Sequence, residues 1–463
     1  MDVVIYQTEE QLLHKAQQAE GKTFGEIDQY DRVKNERAKG HLGQIVEESF
    51  FGYEVNSKKE ADFSNLEIEL KVTPIKKNKN GTLSAKERLV LNIINYYEEI
   101  NYTFHTSSFW TKNKNLLLMF YLWIPKQKRA DYKIIKSYLH RFPEEDLIII
   151  KQDWEHIVGK IRDGKAHELS EADTNYLAAC PKGANKSSLR KQPFNDELAM
   201  QRAFSLKQSY MTTLVRSIIN KDNLVHIANK EELQKKSLAK LLQDRFSPFI
   251  HQSLTNIAQQ TELQVNTKSK AFLQEFVSAL LGISGTKLNE IDEFAKANIQ
   301  FKTIRLEPNG RPREHMSFKN INFTQWLQED WNSSWVKNYF EETKFLFVVF
   351  YYNETKKCNP NRELHFQGIK LWNMPKTIID NELHTFFLHL QELIHAGIEL
   401  KEVRQKNRTI VQNNLPKADF NNICHIRPKA RNSKDKVALP NGDKIIKQAF
   451  WLNNTYIENI IKP

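Results

Sequence analysis

Three residues in one short stretch have the types and spacing for phosphoryl chemistry. They are Asp62, Glu69 and Lys71, within ADFSNLEIELKV (61–72). Two residues apart on an extended strand, Glu69 and Lys71 leave the same face. Asp62 falls in a charge-rich run, NSKKEADFSN (56–65), read as a turn into that strand. Carboxylates so placed suit a hard, oxygen-seeking cation such as Mg²⁺. Such a cation lowers the pKa of a bound water and neutralises charge on phosphoryl oxygens, and an adjacent lysine stabilises the anionic transition state. Asp-x6-Glu-x-Lys alone is a weak pattern, because an exposed Glu-x-Lys strand face is commonly just a solvated surface.

A second copy of the phrase strengthens it. LEIELKVTP (66–74) is echoed by ANIQFKTIR (297–305), where Lys302 is kept, Gln300 stands for Glu69 and Glu293 for Asp62. The echo is one of several in the same order: KGHLGQIV (39–46) with KAFLQEFV (270–277), CPKGAN (180–185) with RPKARN (427–432), and QRAFSLKQSY (201–210) with KQAFWLNNTY (447–456). A collinear series points to tandem duplication, with copies at 1–218 and 238–463 joined by the polar, Lys-rich segment 219–237. Gln carries no charge to offer a divalent cation, so copy two reads as a site that has lost metal binding. Ser278 stands opposite position 47 of copy one.

The elements that must hold these residues are mixed. Apolar positions Leu42, Ile45, Val46 and Phe50 form a helical stripe over 39–52, closed by Gly52. Residues 66–73, KERLVLNIINY (86–96) and LLLMFYLWI (116–124) read as strands, and DWEHIVGKIRDG (153–164) as a helix ending at Gly164. The expectation is an α/β class with mixed β-sheets flanked by helices, once per copy. A chain of 463 residues has room for two such domains. Its apolar runs are far shorter than the ~20 residues of a membrane helix. No signal peptide is read at the start, and three widely spaced cysteines suit a reducing compartment, so the expected location is cytoplasmic. A net charge of +12 suits a polyanionic partner, most simply nucleic acid.

KGHLGQIVEESFFG, ADFSNLEIELKVTPI, DWEHIVGKI, YLAACPKGANKSS and AFSLKQSY, in this order, resemble the MutH-type endonucleases of the PD-(D/E)xK nuclease superfamily, and most closely the two-domain, GATC-cutting type II restriction enzymes of that branch. The resemblance implies Asp62 and Glu69 as metal ligands and Lys71 as the catalytic lysine. It also implies a glutamate on the preceding helix. Glu47, four residues after Gly43, fits when counted from that glycine. Glu48 fits when counted from Gly52, because the helix holds one extra residue. Glu47 is preferred because it projects on the Gly43 side.

Lys39, and Lys112 or Lys114, fall where the family has backbone-contacting or site-proximal lysines. The family's base-reading Arg-Pro-Lys appears as Cys180-Pro181-Lys182 in copy one and intact as Arg427-Pro428-Lys429 in copy two. Ser205 and Lys207 lie in the AFSLK phrase, and the resemblance implies that both meet DNA, Lys207 as a surface cation. Ser205 replaces a tyrosine through which the repair enzymes sense adenine methylation, which implies cleavage regardless of N6-methylation.

The resemblance thus implies a Mg²⁺-dependent endonuclease on duplex DNA at GATC that pairs as a dimer on the site. Copy two would be a degenerate DNA-binding, regulatory module. No membrane and no cofactor beyond the metal are expected. A strand-nicking repair enzyme and a non-catalytic DNA-binding protein are the alternatives.

Overall fold

The computed structural model describes residues 5–35, 40–53, 59–183, 188–261, 272–283, 287–405 and 408–462. The chain divides into two compact units. One comprises Met1–Leu241 with Asn289–Asn298, the other Leu242–Leu288 with Ile299–Pro463.

Among the described residues the first unit has nine strands: β1 (Ile68–Lys77), β2 (Leu83–Ala85), β3 (Leu89–Ile93), β4 (Asn115–Leu122), β5 (Lys133–Arg141), β6 (Leu177–Pro181), β7 (Leu189–Gln192), β8 (Asn195–Met200) and β9 (Arg202–Leu206). The main sheet has the order β2-β1-β4-β5, with β1 parallel to β4 and the outer pairs antiparallel. β4 is the apolar run foreseen in the sequence. Leu116 to Phe120 are all buried, as a strand flanked on both sides requires. A second sheet, β3-β9-β6, carries the end of the Cys180-Pro181-Lys182 phrase.

The strand expected over 86–96 is shorter. β3 stops at Ile93, and Asn95 caps a helix at Tyr96–Glu99 by accepting from the backbone N–H of Tyr97 and Glu98. The helix expected over 153–164 is the last part of Glu144–Arg162. Its buried Asp153 accepts backbone N–H bonds from Asn175, Tyr176 and Leu177, which fixes the entry to β6. Gly164, at φ 68°, is required where the helix ends, because a Cβ there would meet Phe194 O at 2.9 Å.

The helix expected over 39–52 runs as His41–Gln44 and then as a wider π-helical stretch, Ile45–Phe51, before Gly52 at φ 74°. A π-turn is how a helix absorbs one extra residue. Ile45, Val46 and Phe51 pack with Phe63, Ile68, Leu70, Leu117 and Met119 into one core, so the helix face and β1 are set by the same apolar contacts.

The second unit repeats the plan with β10 (Ile299–Leu306), β11 (Met316–Asn320), β12 (Lys344–Tyr352), β13 (Leu364–Trp372), β14 (Leu400–Gln405), β15 (Arg408–Asn413), β16 (Cys424–Pro428), β17 (Lys436–Ala438), β18 (Lys444–Ile446) and β19 (Gln448–Leu452). β10 is parallel to β12, as β1 is to β4, and the sheet β11-β19-β16 mirrors β3-β9-β6. A core of Phe340, Phe345, Phe347, Phe386 and Phe450 joins the layers.

Residues 289–298 depart from that plan. By sequence they precede β10 in copy two, yet they fold on the first unit. Ile291 bridges Val225, and the helix Asp292–Ala297 presents Lys296 to Asp146 at 2.7 and 2.9 Å and to Asp292 at 2.6 Å. Tyr210 donates to the same Asp146 at 2.9 Å.

Candidate active site

The six-residue spacing from Asp62 to Glu69 closes through a tight reversal. Phe63 and Ile68 exchange backbone hydrogen bonds at 2.9 and 3.3 Å, and Glu67 adopts φ 55°. This brings Asp62 beside β1, where it is locked reciprocally. Its carboxylate accepts from the Leu70 N–H at 2.9 Å, and its own N–H donates to Glu69 Oε2 at 3.2 Å.

Glu69 is 3% exposed. Lys71 Nζ lies 2.6 Å from Glu69 Oε1, and Lys112 Nζ, from the helix Ser108–Asn113, lies 3.7 Å from the same oxygen. The same-face placement of Glu69 and Lys71 thus becomes an ion pair at the base of a crowded carboxylate centre.

Glu47 and Glu48 separate cleanly on the π-helical stretch. Burial raises the Glu47 carboxyl above its usual range. The charges it feels are those of Lys71, Glu69, Glu48 and Lys112, so it faces the centre. Glu48 turns the other way and is paired with Arg32, whose Nε donates to it at 2.7 Å. Asp62 is pushed up to about 7, first by burial and then by the Glu69 charge, against the opposing Leu70 N–H and Lys71.

Tyr53 was not foreseen. Its hydroxyl is buried without a hydrogen-bond partner among the described residues, and it feels the charges of Asp62, Glu47 and Glu69. An aromatic residue after a helix-ending glycine reads as core, so the sequence carried no signal for it.

The donor set fits a hard divalent cation. Three carboxylates of the right chemistry, Asp62, Glu69 and Glu47, are brought to this centre; burial first, and neighbouring carboxylate charges after it, raise Asp62 and Glu47, and the orphaned Tyr53 hydroxyl feels all three. Among the described residues, no three acidic, histidine or cysteine side chains yet converge on one metal-ligating point. In their place Lys71 and Lys112 lie against Glu69.

The remaining expected residues scatter. Lys114 pairs with Glu67 at 2.6 Å. Pro181 and Lys182 are exposed at the end of β6, with the Lys182 N–H donating to Gln201 O at 2.7 Å. Arg427 and Pro428 are exposed at the end of β16, with the Arg427 guanidinium 5.8 Å from the Trp451 ring centre. Lys429 is exposed and donates to Phe318 O at 2.7 Å. Ser205 and Lys207 are not on a surface. Ser205 is fully buried on β9, between β3 and β6, and Lys207 is 4% exposed and donates to Thr174 O at 2.6 Å. Both are held by packing at that end of the sheet. Lys39 lies outside the described residues.

In copy two every counterpart of a ligand is redirected. Gln300 Oε1 accepts from Tyr339 Oη at 2.6 Å, and buried Ser278 donates to Gln274 O at 3.2 Å. Glu293 is spent within the first unit, accepting the N–H groups of Ile227 and Ala228 at 3.1 Å.

A family model described as DNA mismatch repair enzyme MutH matches residues 51–153 and again 284–382. The type II restriction enzyme Sau3AI of Staphylococcus aureus is 35% identical over 99% of this chain and 99% of its own length. The DNA mismatch repair protein MutH of Shewanella woodyi is 31% identical over 39% of this chain and 78% of its own length. That of Shigella flexneri is 29% identical over 45% and 92%. The repair proteins thus match a piece about one copy long, whereas the restriction enzyme matches both copies.

Proposed function

The chain belongs to the MutH-like type II restriction endonucleases, and we propose that it hydrolyses duplex DNA at GATC using Mg²⁺ held by Asp62 and Glu69. The observation that carries this is the centre on β1: Glu69 buried between Asp62 and Lys71, with Glu47 facing it from the π-helical stretch. That the chain is a nuclease acting on double-stranded DNA follows from its family. The cation, the site and indifference to adenine N6-methylation are our reading.

When bound, the cation neutralises the phosphate and lowers the pKa of the attacking water. The rest falls to this chain's side chains. Asp62 is fixed by the Leu70 N–H, so its free oxygen faces the centre without rotamer search. Lys71, held beside Glu69, places a positive charge where the attacked phosphoryl group becomes more anionic, and Lys112 adds a second cation at the rim. Glu47, facing the centre, would help hold the cation and lies within the field of Lys71. Water oxygen bonds to phosphorus as one ester P–O bond breaks; the proton the water loses passes to solvent, and the leaving oxygen takes a proton from solvent.

One complete centre per chain cuts one strand, so cutting a two-fold-symmetric site calls for two chains on DNA. Copy two, with Arg427-Pro428-Lys429 exposed, holds a further stretch of DNA and promotes that pairing by local concentration. Among the described residues, no helix is long and apolar enough to cross a membrane. The test is digestion of plasmids with and without GATC, and with fully N6-methylated GATC, in Mg²⁺, followed by sequencing of the ends. Cuts at GATC in methylated and unmethylated DNA alike are expected. Cuts elsewhere, or protection by methylation, overturn the specificity.

A further inference from the structure

The counterpart of the active centre in the second unit has lost its negative charges but kept its positive one. In copy one Lys71 is neutralised by Glu69. In copy two Gln300 is tied to Tyr339, and half-buried Lys302 is left with a main-chain oxygen, Ser317 O at 3.1 Å, and the face of Phe318 at 4.5 Å. Next along β11, Phe318 O takes the ammonium of Lys429 at 2.7 Å. Among the described residues no carboxylate pairs with either lysine. Burial, and then the charge of Lys429, depress Lys302 to about 8.

A cavity of about 340 Å³ opens over this strand face, lined by Lys302, Arg305, Arg313 and His315. Its acid, Glu314, is engaged with Arg305 at 2.9 Å. A desolvated ammonium offered only a carbonyl and a ring is poorly compensated, and an anion is the ligand that completes it.

We propose that the second unit's degenerate centre is a phosphate clamp, in which Lys302, at the cavity, holds one backbone phosphate of a DNA duplex at the position where copy one hydrolyses its own. Exchange of Glu for Gln at position 300 then converts a cutting site into a gripping one: it removes the carboxylate that would neutralise the lysine and repel the phosphate. This rests on reading copy two as a DNA-binding module and supplies its contact.

The test uses the full chain made unable to cut by Glu69→Ala. Labelled GATC duplex is titrated, and the two binding events, one per copy, are followed across salt concentrations. Lys302→Met removes the cation. Gln300→Glu restores the carboxylate without shortening any side chain, and it guards against loss of fold. Each is expected to weaken one event by about tenfold or more and to lower its salt slope by about one phosphate contact, leaving the other event unchanged. Inorganic phosphate, at ionic strength matched with chloride, is expected to compete with that event in the parent and not in the variants. A second event untouched by either substitution overturns the clamp while copy two remains a DNA binder. Competition by phosphate with no effect of the substitutions on DNA assigns the site to a free anion and also overturns it. Absence of any second event in the parent overturns both readings.

Discussion

Replacing Lys296 with methionine should unfasten the copy-two helix Asp292–Ala297 from the catalytic unit. Lys296 Nζ sits 2.7 and 2.9 Å from the Asp146 oxygens and 2.6 Å from Asp292, with all three side chains nearly buried. At these separations an effective dielectric of 20 gives a gross attraction of about 6 kcal/mol per contact, most of it offset by the desolvation of three charges. Removing only the cation leaves two aspartates buried and uncompensated, which costs about 3–5 kcal/mol. The Tyr210 bond to Asp146 favours the lower end.

Methionine keeps the apolar stem, so the loss is electrostatic. The assay is denaturant unfolding followed at Trp154, buried in the first unit. The midpoint should fall by that free energy divided by the slope, with the slope unchanged. The triple variant Lys296→Met, Asp146→Asn, Asp292→Asn, in which no buried charge remains, should recover most of the loss. A loss below about 1 kcal/mol, the scale of an exposed pair, would refute the reasoning, as would a triple variant less stable than the single.

Three further outcomes follow from the same unit. Glu47→Gln should lower cleavage by at least about a hundredfold in a plasmid-nicking assay, since an oriented charge at the centre is removed. Glu48→Gln should cost only about 1 kcal/mol of stability through its half-exposed Arg32 pair and leave cleavage intact. Buried His140 is depressed from 6.5 to about 4 by burial and then by Lys296, with Tyr210 Oη 3.4 Å away. Its neutral form therefore stabilises the fold above about pH 6.5, and that stability is lost as pH falls toward 4. The change in unfolding free energy between those values should be shallower by about one proton in His140→Gln than in the parent.

Much of the centre was legible because strand periodicity is local. Glu69 and Lys71 share a face whatever packs above them, and the duplicated phrase singled out Glu69 as the charge copy two drops from the Asp-Glu-Lys set. The choice between Glu47 and Glu48 was only partly legible: the Gly43 side favoured Glu47, but counting from Gly52 favoured Glu48. An extra residue shifts a helix face by about 100°, and only the π-helical stretch shows where that shift is absorbed. Glu293 also misled. In sequence it is the partner of Asp62, yet its carboxylate caps Ile227 and Ala228 on the first unit, a non-local contact that no spacing encodes. Lys207 read as a surface cation, but its ammonium is held by Thr174 O inside the fold. The mixed sheet expected in each copy followed from apolar runs such as 116–124, whereas its division into separate sheets did not, and the break after β3 depended on Asn95 acting as a helix cap.

The central claim is that Glu69, with Asp62 and Lys71, performs the cleavage. Glu69→Ala in the full chain tests it most directly, with GATC plasmid cleavage and duplex binding measured on the same preparation. The account predicts cleavage lowered by at least about a thousandfold with binding nearly unchanged. Cleavage that persists at the parental rate would contradict it.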